Sequence, residues 1–338
     1  MSVWSKQKVN DWQMEQPYFI GTNFYPSTAI NQLEMWQEDS FDPITIKREL
    51  EYAQKIGMNL MRVYLHDLLW DQDSKGLCER IDQYLSIADN LEIKTMFVLF
   101  DDCWNQNFSL GKQPDPKPYT HNSGWVQSPG VKVVNDSTKW PRLEKYVKGI
   151  LERYKSDERV AVWDLYNEPG NGKNGDDKGE DSNQGDRSLP FLKTVYNWAR
   201  QVQGLAQPLT IGIWKLFKQY KELNKFALES SDIITFHSYD PPQQLANKIN
   251  DLAQHNRPMI CTEYMARGVG STFEYCLPIM KKYNVGAISW GLVAGKSQTT
   301  YPWKWNPSKG EPDIFFHDVF KPDGTFLYSN EENIFKQL

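Results

Sequence analysis

Short apolar segments alternate with helix-like segments along almost the whole chain. The apolar segments are rich in β-branched and aromatic residues, and the segments between them have the apolar spacing of amphipathic helices. The predicted strands are residues 18–25, 59–65, 94–100, 160–166, 209–214, 233–238, 258–262 and 287–290. Strands that alternate with helices pair in parallel through right-handed crossovers. Eight such units in 338 residues predict an α/β fold, a closed (β/α)8 or TIM barrel, with an open doubly wound sheet as the alternative.

The segments between the strands have the apolar period of helices. The predicted helices are residues 43–56, 77–91, 142–154, 189–207, 216–229, 243–255, 272–283 and 331–337. The first has clear signals at both ends, because Asp42 can cap it, Pro43 suits its opening position and Gly57 ends it.

The predicted loops are short where a helix leads into a strand and long where a strand leads into a helix. The longest are residues 101–141, 167–188 and 291–330. Barrel enzymes form their active sites from the loops at the C-terminal ends of the strands, so we expect the functional surface there. The chain has neither an internal repeat nor a linker, which predicts a single domain over residues 1–338.

Composition argues against several classes of partner. The 38 basic and 43 acidic residues give a net charge of −5, with no basic block, which disfavours nucleic acid as a partner. No apolar run reaches the length of a membrane-spanning helix, so no membrane association is predicted. The first sixteen residues lack the apolar stretch of a secretory signal. The chain as written is therefore expected in the cytoplasm, although a mature secreted form would look the same, and its oligomeric state stays open.

Two glutamates stand at the C-terminal ends of predicted strands. Glu168 follows the fourth strand and Glu263 follows the seventh. Three strand steps around an eight-stranded barrel place their carboxyl groups across the mouth from each other. Hydrolysis of a glycosidic bond needs such a pair, one protonated and one ionised. The pair predicts a glycosidase, whereas either glutamate alone could be a solvated loop residue or half of an ion pair.

Four strand ends resemble those of the retaining glycoside hydrolases of the (β/α)8 clan that includes family 5 cellulases and mannanases. They read Asn167-Glu168-Pro169, Phe236-His237-Ser238-Tyr239, Thr262-Glu263 and Ser289-Trp290. The resemblance extends over about residues 18–290. It implies an enzyme that hydrolyses a β-linked oligo- or polysaccharide without a cofactor. A transglycosidase would use the same residues, and a non-catalytic carbohydrate-binding barrel is the alternative from another class.

The resemblance also implies roles for individual residues. Glu168 would be the acid/base, and Glu263 would be the nucleophile, with Tyr239 donating a hydrogen bond to it. Arg62 would lie beneath Glu263, where its charge favours the ionised carboxylate. The remaining residues implied for substrate binding are Asn167 at the sugar 2-hydroxyl, His237 in the polar ring and Trp290 as the floor of the first sugar subsite.

The chain departs from the family pattern at the third strand. Many family 5 enzymes have a histidine there, whereas this chain reads Asp101-Asp102-Cys103-Trp104. We expect His66 or Asp67, after the second strand, to supply the polar sugar contact instead. The loop tryptophans are expected either to stack on sugars or to pack onto the barrel. They are Trp104, Trp125, Trp140, Trp303 and Trp305.

The sequence predicts no metal and no other cofactor. The five histidines form no H-x-H or H-E-x-x-H motif, and the four cysteines have irregular spacing that is typical of buried or idle thiols. Residues 170–175 fit G-x-G-x-x-G but lead into an acidic loop instead of a helix, so they do not predict a phosphate site. That loop misses the EF-hand order and is expected to be solvated, with calcium binding as the alternative. Its acidic residues are Asp176, Asp177, Glu180, Asp181 and Asp186.

Overall fold

A computed structural model describes residues 2–172 and 184–337. In these ranges, eight parallel strands form one sheet in the order β5-β4-β3-β2-β1-β8-β7-β6. The strands are β1 (Ile20–Asn23), β2 (Leu60–Tyr64), β3 (Lys94–Val98), β4 (Val160–Asp164), β5 (Leu209–Thr210), β6 (Ile234–His237), β7 (Met259–Tyr264) and β8 (Val285–Trp290). Ile213 joins the two edge strands, since its N–H donates to the Thr235 carbonyl and its carbonyl accepts from the His237 N–H, both at 2.9 Å. The predicted (β/α)8 barrel is confirmed.

Helices alternate with the strands as predicted, with shifted ends. They are α1 (Lys6–Met14), α2 (Gln32–Trp36), α3 (Pro43–Lys55), α4 (Asp67–Asp89), α5 (Val131–Val134), α6 (Trp140–Tyr154), α7 (Leu189–Gln201), α8 (Lys221–Ser230), α9 (Pro242–Ala253), α10 (Phe273–Lys282) and α11 (Glu331–Phe335). The predicted signals of α3 are present, because the Asp42 carboxylate accepts from the Thr45 N–H at 3.0 Å. Helix α4 begins ten residues before the predicted helix of residues 77–91, because a first helical segment precedes a kink at Asp73. The Asp73 side chain caps the segment after the kink by accepting from the Gly76 N–H.

None of the helices within residues 2–172 and 184–337 is long and apolar enough to span a membrane.

Helix α1 closes the N-terminal end of the barrel. Ser5 caps it by accepting a hydrogen bond from the Lys8 N–H. Its one buried side chain, Val9, packs with Trp4 and Trp12 against apolar side chains inside the barrel. The interior partners in this cluster are Phe19, Leu60, Met96, Ala161, Val162, Ile233, Ile260 and Ile288. The sequence did not predict this helix, because a single buried side chain gives no apolar period. The C-terminal end of the barrel, where the functional surface is expected, is not covered by α1.

Two long segments cover that opposite, C-terminal end. We call residues 99–139, between β3 and α6, the β3 loop, and residues 291–330, between β8 and α11, the β8 loop. They contact each other directly, since the Asn122 N–H donates to the Ser297 carbonyl at 2.9 Å. The long loops therefore lie where the sequence placed them, at the C-terminal ends of the strands.

Candidate active site

A cleft of about 990 Å³ opens at the C-terminal end of the barrel, and both predicted glutamates line it. One oxygen of Glu168, one oxygen of Glu263 and one ring nitrogen of His237 lie within 4.8 Å of one another. Glu168 follows β4 and Glu263 belongs to β7, so three strand steps do bring the two carboxyl groups face to face. The arrangement can act on a bond held between them.

Local backbone features aim both carboxyl groups into the cleft. Strand β7 changes register against both neighbours between Cys261 and Tyr264, as a β-bulge does, and Glu263 lies in this irregular stretch. Glu168 has φ +44°, in the left-handed region that non-glycine residues rarely adopt. Such conformations persist where the surrounding structure holds them and are common at active sites.

Glu263 is surrounded by donors that favour its ionised form. The Arg62 guanidinium lies 3.1 Å from Oε1, the Tyr64 hydroxyl donates to the same oxygen at 3.2 Å, and the Tyr239 hydroxyl donates to Oε2 at 2.8 Å. Burial and the neighbouring Glu168 carboxyl group raise the pKa of Glu263, while the Arg62 cation and the hydrogen bond from Tyr239 act to lower this pKa. Because a cation and two hydroxyls contact this one carboxyl group, it is the member of the pair that holds a negative charge more readily.

Arg62 is fixed by partners other than Glu263. It is completely buried and forms an ion pair with Asp164 at 2.7 Å. It also donates to the side-chain oxygens of Asn23 at 2.8 Å and of Asn167 at 2.7 Å. The guanidinium therefore has a set position beneath the cleft, where it contacts Glu263 and orients Asn167.

Glu168 has a different set of neighbours. Its Oε2 accepts from the Asn171 amide at 2.7 Å and from the Cys103 thiol at 3.1 Å. Burial raises the pKa of Glu168, and the hydrogen bond from Cys103 is the largest effect in the opposite direction. Burial also raises the pKa of Cys103 well above its usual value, so the thiol stays protonated and can donate. Cys103 is thus a buried free thiol, as expected, and it also donates a hydrogen bond to Glu168.

His237 lies between the two carboxyl groups. Its Nδ1 is 2.9 Å from Glu168 Oε1 and 3.4 Å from Glu263 Oε2. Burial lowers the pKa of His237 to about 4, so the ring is neutral near neutral pH. A neutral ring with its proton on Nδ1 would donate to the carboxyl groups without adding a charge.

Three further predicted residues line the cleft. Asn167 is oriented by Arg62 and by its own donation to Asp101 at 3.0 Å. Trp290 is 5% exposed and packs against the rings of Tyr25 and Tyr64 beneath it. Trp104 is 47% exposed and has its ring 5.4 Å from that of His121. Its exposed face is available for stacking.

The sequence profile described as Cellulase (glycosyl hydrolase family 5) matches residues 21–296. The chain belongs to glycosyl hydrolase family 5. It is therefore a glycoside hydrolase with a carbohydrate substrate, and the resemblance inferred from the strand ends is confirmed. No curated protein sequence matches this family 5 hydrolase.

Solved structures of family 5 proteins share the fold. A GH5_18 protein of Streptomyces cattleya in complex with Manβ1-4GlcNAc aligns with a TM-score of 0.65 at 10% identity, covering 94% of this chain and 79% of that chain. The endo-1,4-β-mannanase of Rhizomucor miehei aligns at 0.60 and 15% identity, covering 96% of both chains. The endo-1,4-β-mannanase of Thermotoga petrophila aligns with a TM-score of 0.59 at 16% identity, covering 94% of this chain and 98% of that chain. At these identities the likeness shows the fold alone.

Two predicted residues do not reach the cleft of this family 5 hydrolase. His66 is completely buried, with Nε2 3.0 Å from the Gln127 carbonyl and Nδ1 accepting from the Leu68 N–H at 3.2 Å, where it caps α4. Asp67 pairs with Arg142 at 2.6 Å. The expectation that His66 or Asp67 contacts the sugar is therefore wrong, because the β3 loop covers the end of β2 and separates both side chains from the cleft.

The cleft of the hydrolase also contains residues that the sequence analysis did not single out. They include Asn171, Trp214, Lys215, His121 and His317. Trp214 is the last residue of the predicted fifth strand and Lys215 directly follows it, a position that could have identified them. The histidines come from long loops and carry no such signal. Among the loop tryptophans, Trp303 and Trp305 line the cleft, whereas Trp125 is buried and Trp140 begins α6.

One group of side chains among the described residues is close enough to share a metal ion, namely Glu168, His237 and Glu263. The Arg62 guanidinium already supplies positive charge beside Glu263, and the absence of a metal requirement stays a prediction.

Of the acidic loop, Asp186 accepts from the Leu223 N–H at 2.8 Å and caps α8. Its other four acidic residues, Asp176, Asp177, Glu180 and Asp181, lie outside the described residues.

Proposed function

We propose that the protein hydrolyses β-glycosidic bonds with retention of configuration, with Glu263 as nucleophile and Glu168 as acid/base. The observation that carries the proposal is the unequal surroundings of two carboxyl groups whose nearest oxygens are within 4.8 Å. Glu263 contacts the Arg62 cation, whereas Glu168 accepts from a thiol and an amide. Retaining glycosidases hold their carboxyl groups about 5–5.5 Å apart, and inverting ones about 6.5–9.5 Å apart.

The two steps follow from these surroundings. In the first, ionised Glu263 attacks the anomeric carbon while Glu168 gives its proton to the leaving oxygen. The new ester removes the negative charge of Glu263, so the pKa of Glu168 falls and its carboxylate can accept a proton from water. That water then releases the sugar and restores both groups.

The remaining residues position the sugar and the nucleophile. The Asn167 amide is held by Arg62 and Asp101, which suits a fixed hydrogen bond to the sugar 2-hydroxyl. The Tyr239 hydroxyl holds the nucleophile at Oε2. Hydrogen bonds that strengthen in the transition state lower the barrier more than they aid ground-state binding.

Mannose- and glucose-containing β-linked substrates are the first to test. Solved structures with the same fold include endo-1,4-β-mannanases and a protein bound to Manβ1-4GlcNAc. The matching profile is described as that of cellulases. We therefore propose a β-linked gluco- or manno-oligosaccharide as the substrate class.

Proton NMR of the first sugar released tests the mechanism. We expect β-configured product from aryl β-glucosides or β-mannosides before mutarotation. Glu168→Gln should lower kcat/KM by about 10²- to 10⁴-fold, the range of general acid catalysis, for substrates with poor leaving groups, and much less for activated aryl glycosides. The exposed Glu274→Gln is the matched control. Product first released in the α configuration would contradict the proposal.

A further inference from the structure

The cleft has an asymmetric lining. Strands β3 to β8, or the segments that follow them, all contribute lining residues. None of the lining residues comes from β1 or β2 or from residues 24–42 and 65–66 after them, all of which the structure describes. One sector of the barrel mouth is therefore covered.

Trp125 of the β3 loop fills that sector. It is 1% exposed, and its ring lies 5.2 Å from Tyr25, after β1, and 5.2 Å from Tyr64, at the end of β2. Its neighbours are tied to α2, because Asn31 donates to the Gly124 carbonyl at 2.8 Å and Gln32 donates to the Val126 carbonyl at 2.9 Å. The β3 loop is thus fixed across the ends of β1 and β2.

The β8 loop joins the β3 loop, and together they form a wall along this side of the cleft. The Tyr119 N–H donates to Gln298 Oε1 at 2.9 Å, and Gln298 Nε2 is 3.3 Å from the Thr120 carbonyl. His121 Nδ1 lies 2.8 Å from the Tyr301 carbonyl. These contacts join residues 119–121 of the β3 loop to residues 298–301 of the β8 loop, so that the wall beside Trp290 is continuous.

The wall stands on the side of the retained sugar. In the proposed mechanism Glu168 faces the leaving group, and beside it Asn171 donates to Glu168 at 2.7 Å and Trp214 donates to the Pro169 carbonyl at 3.1 Å. Cys103, at the start of the β3 loop, also contacts Glu168. The later part of that loop lies next to Trp290, because the Trp125 ring is 5.6 Å from the Trp290 ring. A chain that continued beyond the retained sugar would meet the lining residues Thr120, His121 and Asn122, with Trp125 packed behind them.

We propose that the glycone side of the cleft is blind and accepts one sugar, so that the enzyme removes single residues from the non-reducing ends of its substrates. The inference rests on the proposed function. The inference goes further than the proposed function, because it predicts where along a substrate chain the bond is cut.

A pair of substrates tests this inference. One is an aryl β-trisaccharide of glucose or of mannose, and the other carries a 4,6-O-benzylidene group on its non-reducing terminal sugar. We expect monosaccharide as the first product of the free substrate, and at least hundredfold slower cleavage of the blocked one. Equal cleavage of both would overturn the blind cleft and leave the glycosidase assignment intact. Cleavage of neither in both sugar series would overturn the proposed function, and this inference with it.

A variant that loosens the wall provides a second measurement. Gln298→Ala removes the side chain that joins the loops without altering a cleft-lining residue. We expect the ratio of kcat/KM for free and blocked substrates to fall at least tenfold. The exposed Gln203→Ala should keep the wild-type ratio. An unchanged ratio in Gln298→Ala would contradict the role of the joined loops in blocking the cleft.

Discussion

At the scale of single residues, Cys103 shows how a buried thiol can contact a functional carboxyl group. It follows β3, and its thiol donates to Glu168 at 3.1 Å. A neutral thiol adds a hydrogen bond to the acid/base without adding charge. Its role was not predictable from the sequence, because irregularly spaced cysteines are usually idle and nothing in the motif places Cys103 beside Glu168.

Removal of this thiol should change the pH profile. The hydrogen bond from Cys103 lowers the pKa of Glu168, so Cys103→Ala should raise that pKa and move the basic limb of kcat/KM to higher pH. The maximal rate should fall by less than about tenfold, since such a hydrogen bond contributes about 1 kcal/mol. Cys78→Ala, at a half-buried cysteine outside the cleft, is the control. A basic limb that stays in place in Cys103→Ala would refute the positioning role.

At the scale of elements, the ends of the strands were predictable and their irregularities were not. The apolar period and the motif at Glu263 identified the seventh strand, and the structure has it as β7 (Met259–Tyr264). The bulge that aims Glu263 depends on pairing with β6 and β8, which are separate in sequence. The cover over β2 likewise depends on the β3 loop, so sequence reasoning wrongly placed His66 and Asp67 in the cleft.

The β8 loop contains a buried carboxyl group that should make stability depend on pH. Burial raises the pKa of Asp318 to about 7 from 3.8. Between these values the folded state keeps a proton that the unfolded state loses, so stability falls as the pH rises towards 7. Asp318→Asn should therefore leave stability nearly unchanged at pH 4 and raise it at pH 8 by up to about 4 kcal/mol.

Urea unfolding at the two pH values measures this effect. The amide can still accept from Thr299, whose hydroxyl donates to Asp318 at 2.8 Å. Asparagine also suits the left-handed backbone at this position, where φ is +59°. Asp313→Asn, at an exposed residue of the same loop, should show no such pH-dependent gain. An equal gain for Asp318→Asn at pH 4 and pH 8 would rule out titration of this carboxyl group as its cause.

At the scale of the whole molecule, the alternation of strands and helices was enough to predict the barrel and its functional end. It did not predict that α1 closes the other end, because one buried valine leaves no pattern. Nor did it predict the joined loops, where Tyr119 contacts Gln298, which lies 179 residues later in the chain. Contacts of this kind depend on the tertiary fold, and no local sequence pattern specifies them.

The central claim is that Glu263 forms the covalent intermediate while Glu168 supplies the proton. A 2-fluoro glycoside with an activated leaving group tests it directly, because the fluorine slows both steps and the leaving group keeps formation of the intermediate faster than its breakdown. Peptide mass mapping should find one sugar on Glu263. Trapping should persist in Glu168→Ala, since an activated leaving group needs no acid, and vanish in Glu263→Ala. A sugar attached to any other residue, or trapping that survives loss of Glu263, would contradict the account.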